Sequence, residues 1–189
     1  NVYRNFSIFN AYGGVLLQGT STTFPDLNNQ VTTTACGTFN IIGDPNTAND
    51  IGNQTTTLTY GILGANQSGV TIKNNRISNV TTSAGQVDGI SLTLFAGTCD
   101  VSHNIIQNIR QVSTTSTSAV SGIRATHFTT GSHTLRMYNN SVSLLSSSYA
   151  TATATRTVRG LFLVSTTGTS NYEVWYNSVS LTGTLVPSS

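Results

Sequence analysis

Apolar side chains along this chain fall into short strips separated by runs of Ser, Thr, Asn and Gly, and four strips align without a gap. They are residues 72–80 (IKNNRISNV), 101–109 (VSHNIIQNI), 137–145 (MYNNSVSLL) and 174–182 (VWYNSVSLT). The first column is always apolar, the fourth is Asn (Asn75, Asn104, Asn140, Asn177), the sixth is Ile or Val, and the ninth is apolar in three of the four. A second strip precedes each, with Gly61, Gly89, Gly122 and Gly160 always followed by Ile or Leu. Successive Asn positions are 29, 36 and 37 residues apart, and successive Gly positions 28, 33 and 38.

No segment shows the i, i+3, i+4, i+7 apolar stripe of an amphipathic helix, which removes βαβ units and helical solenoids. Short strips of this kind predict β-strands. Recurrence of the same Asn and Gly at equivalent places predicts more than a β-sandwich would require. It predicts an all-β parallel β-helix, a solenoid with coils of about 28–38 residues stacked roughly 4.8 Å apart. The step from Ile72 to Asn75 is three residues and breaks the period of two, so a corner is expected there. Side-chain amides in the Asn column are expected to hydrogen-bond from coil to coil. The Gly column is expected to permit a bend or bulge where strand parity switches.

The sixth column, including Ile106, is expected to point inward. Ser/Thr-rich loops at 112–118 and 146–155 would project from one face. Residues 61–183 read as regular coils and residues 1–60 as atypical first coils. Within the latter, Val2 and Asn5 align with the Asn strip, 39–42 forms an inward strand, and 43–53 is a loop. Residues 174–185 still read as a regular coil. Neither end looks like a cap, so neighbouring segments are expected.

Composition narrows the function. Charged residues make up 7% of the 189, against about 25% in most soluble domains. A net charge of +2 with 37% hydrophobic residues is not the profile of a disordered chain. Such a neutral, Thr/Ser/Asn-rich, β-branched composition suits an extracellular all-β protein. The seven Arg and Lys73 are scattered, so no basic stripe marks a nucleic-acid surface. No apolar run reaches the roughly 18 residues of a membrane span. The chain begins at Asn1 with no signal-peptide pattern, which reads as an internal piece of a larger protein. Cys36 and Cys99 read as two small residues; a disulfide between them is the alternative, and sequence does not place their Cα atoms.

The phrases GVTIKNN at 69–75, VSHN at 101–104, GSHTLRMYNN at 131–140 and YNSVSL at 176–181 carry a resemblance. Over roughly residues 58–183 the chain resembles the right-handed parallel β-helix repeats of very large surface proteins of Bacteroidetes-type bacteria, and the pectate-lyase-like superfamily at the level of fold. The resemblance implies a secreted or cell-surface location reached by type IX secretion. The C-terminal export domain usual in such proteins has no counterpart here.

Candidate chemistry is sparse. Six acids occur: Asp26, Asp44, Asp50, Asp88, Asp100 and Glu173. Asp100 and Glu173 share a column two coils apart, roughly 10 Å by coil spacing, a separation loosely compatible with an inverting glycosidase pair. One shared column is thin support, and the acids read mainly as solvated surface groups. His103 reads as an outward or corner residue, and His127 and His133 as the flanks of a loop. No metal site is expected. The Thr-rich runs at 55–57 and 113–118 sit in loops of unequal length and do not make a flat ice-binding face. Alternation points Tyr138 and Trp175 outward. Together with Tyr172 and Tyr176 they are candidate carbohydrate contacts, or contacts with another domain. The sequence thus predicts a structural or adhesive segment without cofactor or catalytic residues. Its expected partners are neighbouring domains of the same chain or cell-surface molecules. The alternative is a β-helix that binds or cleaves a polysaccharide.

Overall fold

The computed structural model describes residues 1–21, 23–35, 37–54, 58–113, 118–127, 131–143, 145–147, 157–165 and 168–181. Cys36 and the Thr-rich runs at 55–57 and 114–117 lie outside them. The described residues form strands, turns and bends with no helix. Every strand pairing among the described residues is parallel, so each pair is joined by a crossover through other strands and not by a tight hairpin.

Three sheets contain nearly all the strands. The first comprises Val2–Tyr3, Gln30–Val31, Thr71–Lys73, Gly97–Ser102, Ser132–Tyr138 and Thr169–Trp175, in that spatial order. The path of the second is Ser7–Ile8, Asn40–Ile42, Asn75–Thr82, Ile105–Gln111, Ser141–Ser143 and Ser178–Ser180, with Ile51–Gln54 and Ser146–Ser147 pairing alongside. The third runs Val15–Gln18, Leu58–Ala65, Gln86–Thr93, Val120–His127 and Val158–Ser165. The chain therefore visits the three sheets in rotation, laying each new strand beside the strand of the previous circuit. A small fourth sheet pairs Asp26–Leu27 with Gln67–Ser68.

Register is kept column by column. In the first sheet Tyr3, Val31, Ile72, Val101, Met137 and Val174 are successive partners. In the second they are Ile8, Ile42, Ile77, Ile106, Val142 and Val179. In the third they are Val15, Ile62, Ile90, Ile123 and Leu161. The central members of all three columns are fully buried in one continuous core, Ile106 among them. Burying these branched side chains between the circuits above and below stabilises the stack at roughly 25 cal/mol per Å² of apolar area.

The first sixty residues are more regular than their sequence suggests. Phe6, not Asn5, occupies the ladder column, because Ser7 pairs with Ile41 and Ile41 with Arg76. Tyr3, not Val2, lies in the inward column. Asn5 instead has φ of 57°, as do its equivalents Asn74 (57°), His103 (55°), Asn139 (54°) and Tyr176 (53°). This left-handed residue is the corner between the first and second sheets, and it accounts for the three-residue step from Ile72 to Asn75. Asn fits such a place because its short polar side chain tolerates left-handed backbone. Residues 43–53, expected to be a loop, run at their end into the strand Ile51–Gln54.

Candidate functional site

The repeated asparagines are the most developed polar feature of the molecule. Asn75 Nδ2 donates to Asn104 Oδ1 at 2.9 Å, Asn104 Nδ2 to Asn140 Oδ1 at 2.9 Å, and Asn140 Nδ2 to Asn177 Oδ1 at 2.9 Å. Each acceptor oxygen also takes the backbone N–H of the preceding asparagine, at 3.0–3.1 Å. Each amide has a second hydrogen, which goes to a strand carbonyl: Asn75 to Val31, Asn104 to Ile72, Asn140 to Val101 and Asn177 to Met137. The inner side chains are thus saturated, as burial demands.

The ladder has a member that the sequence pattern missed. Asn40 Nδ2 donates to Asn75 Oδ1 at 2.8 Å, and Asn40 Oδ1 accepts from Phe6 N at 3.4 Å. A second, shorter column was also missed. Asn79 and Asn108, both left-handed, hydrogen-bond through their side chains. Both occupy the eighth place of the aligned strips, so the signal was present but shared by only two of them.

The glycine column has a packing cause beside the expected bend or bulge. Strand pairing does skip the glycines: Asp88 pairs with Tyr60 and Ile90 with Ile62, with no pair at Gly89. None of Gly61, Gly89, Gly122 and Gly160 has positive φ. What excludes a side chain is the sixth-column residue across the core. A Cβ on these glycines would lie 2.4, 2.4, 2.2 and 2.1 Å from a methyl of Ile77, Ile106, Val142 and Val179 respectively. Gly14, which precedes the Val15–Ile62 pair, extends the column; its Cβ would meet the Gly61 carbonyl.

The outer face of the first sheet holds the exposed chemistry. Tyr138 and Trp175 stack with parallel rings, centroids 4.9 Å apart, and His103 meets the Tyr138 ring edge-on. Beside them Asp100, Arg136 and Glu173 are successive partners. Arg136 Nε donates to Glu173 Oε2 at 3.0 Å, and Asn171 Nδ2 to Glu173 Oε1 at 2.9 Å. Asp100 and Glu173 therefore share a column as expected, but the arginine stands between them. Tyr172 does not join this face. It partners Leu135 in the inward direction, packs against the core, and donates its hydroxyl to Val164 O at 3.2 Å. Tyr176 is 82% exposed.

Two groups read as surface residues are buried. Asp88 lies fully inside, accepts from Gln86 Nε2 at 2.6 Å and faces Arg124 at 3.9 Å. Burial raises its carboxyl from the ordinary 3.8 to about 6, opposed by the Arg124 charge and hydrogen bonds. Asp50 is also buried, and accepts the backbone N–H groups of Asn10 and Asp44. His127 and His133 are likewise buried strand residues, with ring centroids 3.6 Å apart, and Phe95 and Tyr172 pack edge-on to His133. Burial, then the neighbouring His127, lowers His133 to about 4. Cys99 is buried too. Its thiol donates to Ala96 O at 3.4 Å and is pushed up to about 11, chiefly by burial.

Among the described residues no three His, Cys, Asp or Glu side chains cluster as metal ligands would. No protein-family model matches the chain, and no curated protein or solved structure matches it either. The molecule is an all-β chain of parallel sheets tied together by a buried column of asparagines.

Proposed function

We propose that the chain is a structural or adhesive segment of a right-handed parallel β-helix, belonging to a large secreted or bacterial cell-surface protein. The observation behind this reading is the column Asn40–Asn75–Asn104–Asn140–Asn177. It ties each circuit to the next through side-chain bonds while apolar columns on all three sheets stay in register. Stacking of that kind gives a stiff element whose length grows with circuit number, since each unit contacts only its neighbours. Low charge and Ser/Thr-rich connections suit an exported surface. The resemblance of residues 58–183 to surface-protein repeats points the same way and brings type IX secretion with it. The deciding measurement is the denatured mass of the native polypeptide from its source. Hundreds of kilodaltons support the segment reading; a mass near that of the 19.9 kDa chain sinks it.

A second reading, a carbohydrate-binding or -cleaving β-helix, draws on Trp175. Its ring stacks one face on Tyr138, and Glu173, two residues earlier in the same strand, is bound by Arg136 and Asn171. An indole face beside polar groups suits a sugar ring. A glycan array probed with the chain and with Trp175→Ala tests it. Specific binding lost in the variant favours this reading, and no binding above background removes it.

A further inference from the structure

We infer that the two ends of the circuit stack are not equivalent. The end formed by Thr169–Trp175, Ser178–Ser180 and Val158–Ser165 is a docking surface for a further parallel circuit that carries Asn in the ladder place. These three strands are the last in their respective sheets, all at the same end. The inward columns emerge there: Val174 is 42% and Val179 43% exposed, whereas their partners Met137 and Val142 are buried. The ladder is open in a defined chemical sense. Every earlier asparagine, from Asn75 to Asn140, gives its backbone N–H and one amide hydrogen to the next Oδ1. Asn177 Oδ1 is taken, but no described residue accepts its N–H, and its Nδ2 turns to Met137 O and Trp175 O. An incoming Asn oxygen would complete the pattern, and an aromatic ring in the column of Tyr138 would cover the remaining face of Trp175.

The opposite end does not offer this. Its ladder place is Phe6, which meets Asn40 Oδ1 through its backbone N–H alone. A second copy stacked head to tail would bring Phe6 against Asn177, with no side-chain oxygen. The occupant is therefore a strand–corner–strand segment with apolar, Asn and Ile/Val positions spaced as in this chain's own circuits, added by parallel strand pairing. This goes beyond a spacer role, because it assigns a direction of growth, and it stands whether or not the native polypeptide is large.

The test uses the full chain and a synthetic peptide with the sequence of residues 131–143, which holds two strands, the corner and the ladder Asn but no Trp. Trp175 is the chain's single Trp, so its emission reports on the open end. The expected result is a saturable blue shift of that emission, with binding about tenfold weaker for the peptide carrying Asn140→Ala. In the chain, Val179→Lys should also weaken binding without loss of the folded far-UV spectrum. Absence of a saturable shift overturns the inference, as does equal binding of the Asn and Ala peptides. Head-to-tail self-association in sedimentation that the peptide competes away would overturn it too, by making a second copy the occupant.

Discussion

Gly89 is the seat of Ile106: a Cβ on the glycine would stand 2.4 Å from the isoleucine Cγ2 and 2.7 Å from the Gly122 carbonyl oxygen. The first clash is with a buried branched methyl and the second with backbone, so neither yields easily. Gly89→Ala should therefore cost about 1–3 kcal/mol, the usual range for overpacking a tight core. Gly13→Ala is the control. Its Cβ would touch the Tyr60 ring at 3.5 Å, an ordinary contact, and its φ is not positive. It should change stability by less than about 1 kcal/mol, or raise it by restricting the unfolded chain. Urea unfolding of both variants decides the matter; equal effects would mean that the close packing is not what selects glycine.

The ladder should be weakest to substitution in its middle. Asn104 gives hydrogen bonds to Ile72 O and Asn140 Oδ1 and receives them from Asn75 N and Asn75 Nδ2, all in a buried setting. Asn104→Ala orphans several of these partners at once, at about 1–3 kcal/mol for each buried group left unpaired. A total of roughly 3–5 kcal/mol is expected, near the top of the range for single substitutions. Asn177→Ala, at the partly open end, should cost about 1 kcal/mol. Chemical denaturation compares them directly, and a larger loss at Asn177 than at Asn104 would contradict the cooperative column.

Much of this arrangement was legible in the four aligned strips, because stacking repeats the same demand at equivalent places. The Asn column, the inward Ile and Val and the corner after Ile72 all follow from that repetition. What stayed hidden needed contacts between different strips. The glycines announced themselves, but the methyl groups that require them, Ile77, Ile106, Val142 and Val179, come from another sheet. Asn40 and Gly14 escaped because long excursions separate them from the regular spacing, and Asn5 offered a false register one residue away from Phe6. Asp88 looked like a surface acid because alternation says which way a side chain points, not what covers it. The inward turn of Tyr172 was obscured by its neighbours Trp175 and Tyr176, which do face out.

Acid should act on two buried groups in opposite directions. His133 has no hydrogen-bond partner at either ring nitrogen and sits against His127, Phe95 and Tyr172. It titrates near 4 in the folded chain and at its ordinary 6.5 when unfolded. Between those values the unfolded state holds more protons, so stability falls as pH drops from 6.5 to 4. Asp88 titrates near 6 when folded against 3.8 unfolded. Here the folded state holds more protons, so stability rises as pH drops from 6 to 3.8. His103, whose proton is disfavoured by burial and Lys73, acts in the sense of His133 but is common to both variants below. His133→Phe should therefore tilt the Tm profile between pH 4 and 6 towards greater acid stability, and Asp88→Asn towards greater acid lability. Thermal melts across that window read the slopes; two variants that both keep the parent slope would mean that neither group is buried as described.

The corner column supplies a stabilising substitution that also separates fold from recognition. Tyr176 holds φ of 53° in a place where Asn5, Asn74 and Asn139 are asparagines, yet its side chain is 82% exposed. Left-handed backbone costs an ordinary L-residue about 1–2 kcal/mol, and asparagine relieves part of this by local hydrogen bonding. So little of the tyrosine is covered that replacing it forfeits little apolar burial. Tyr176→Asn should raise stability by about 0.5–1 kcal/mol, read as a higher urea midpoint at unchanged slope. The same variant keeps Tyr138, Trp175 and the ladder intact. If the exposed aromatic edge contacts a sugar or another domain through Tyr176, the more stable variant will bind less well. A variant both less stable and unchanged in binding would show that this tyrosine packs on the corner and does not serve as a contact residue.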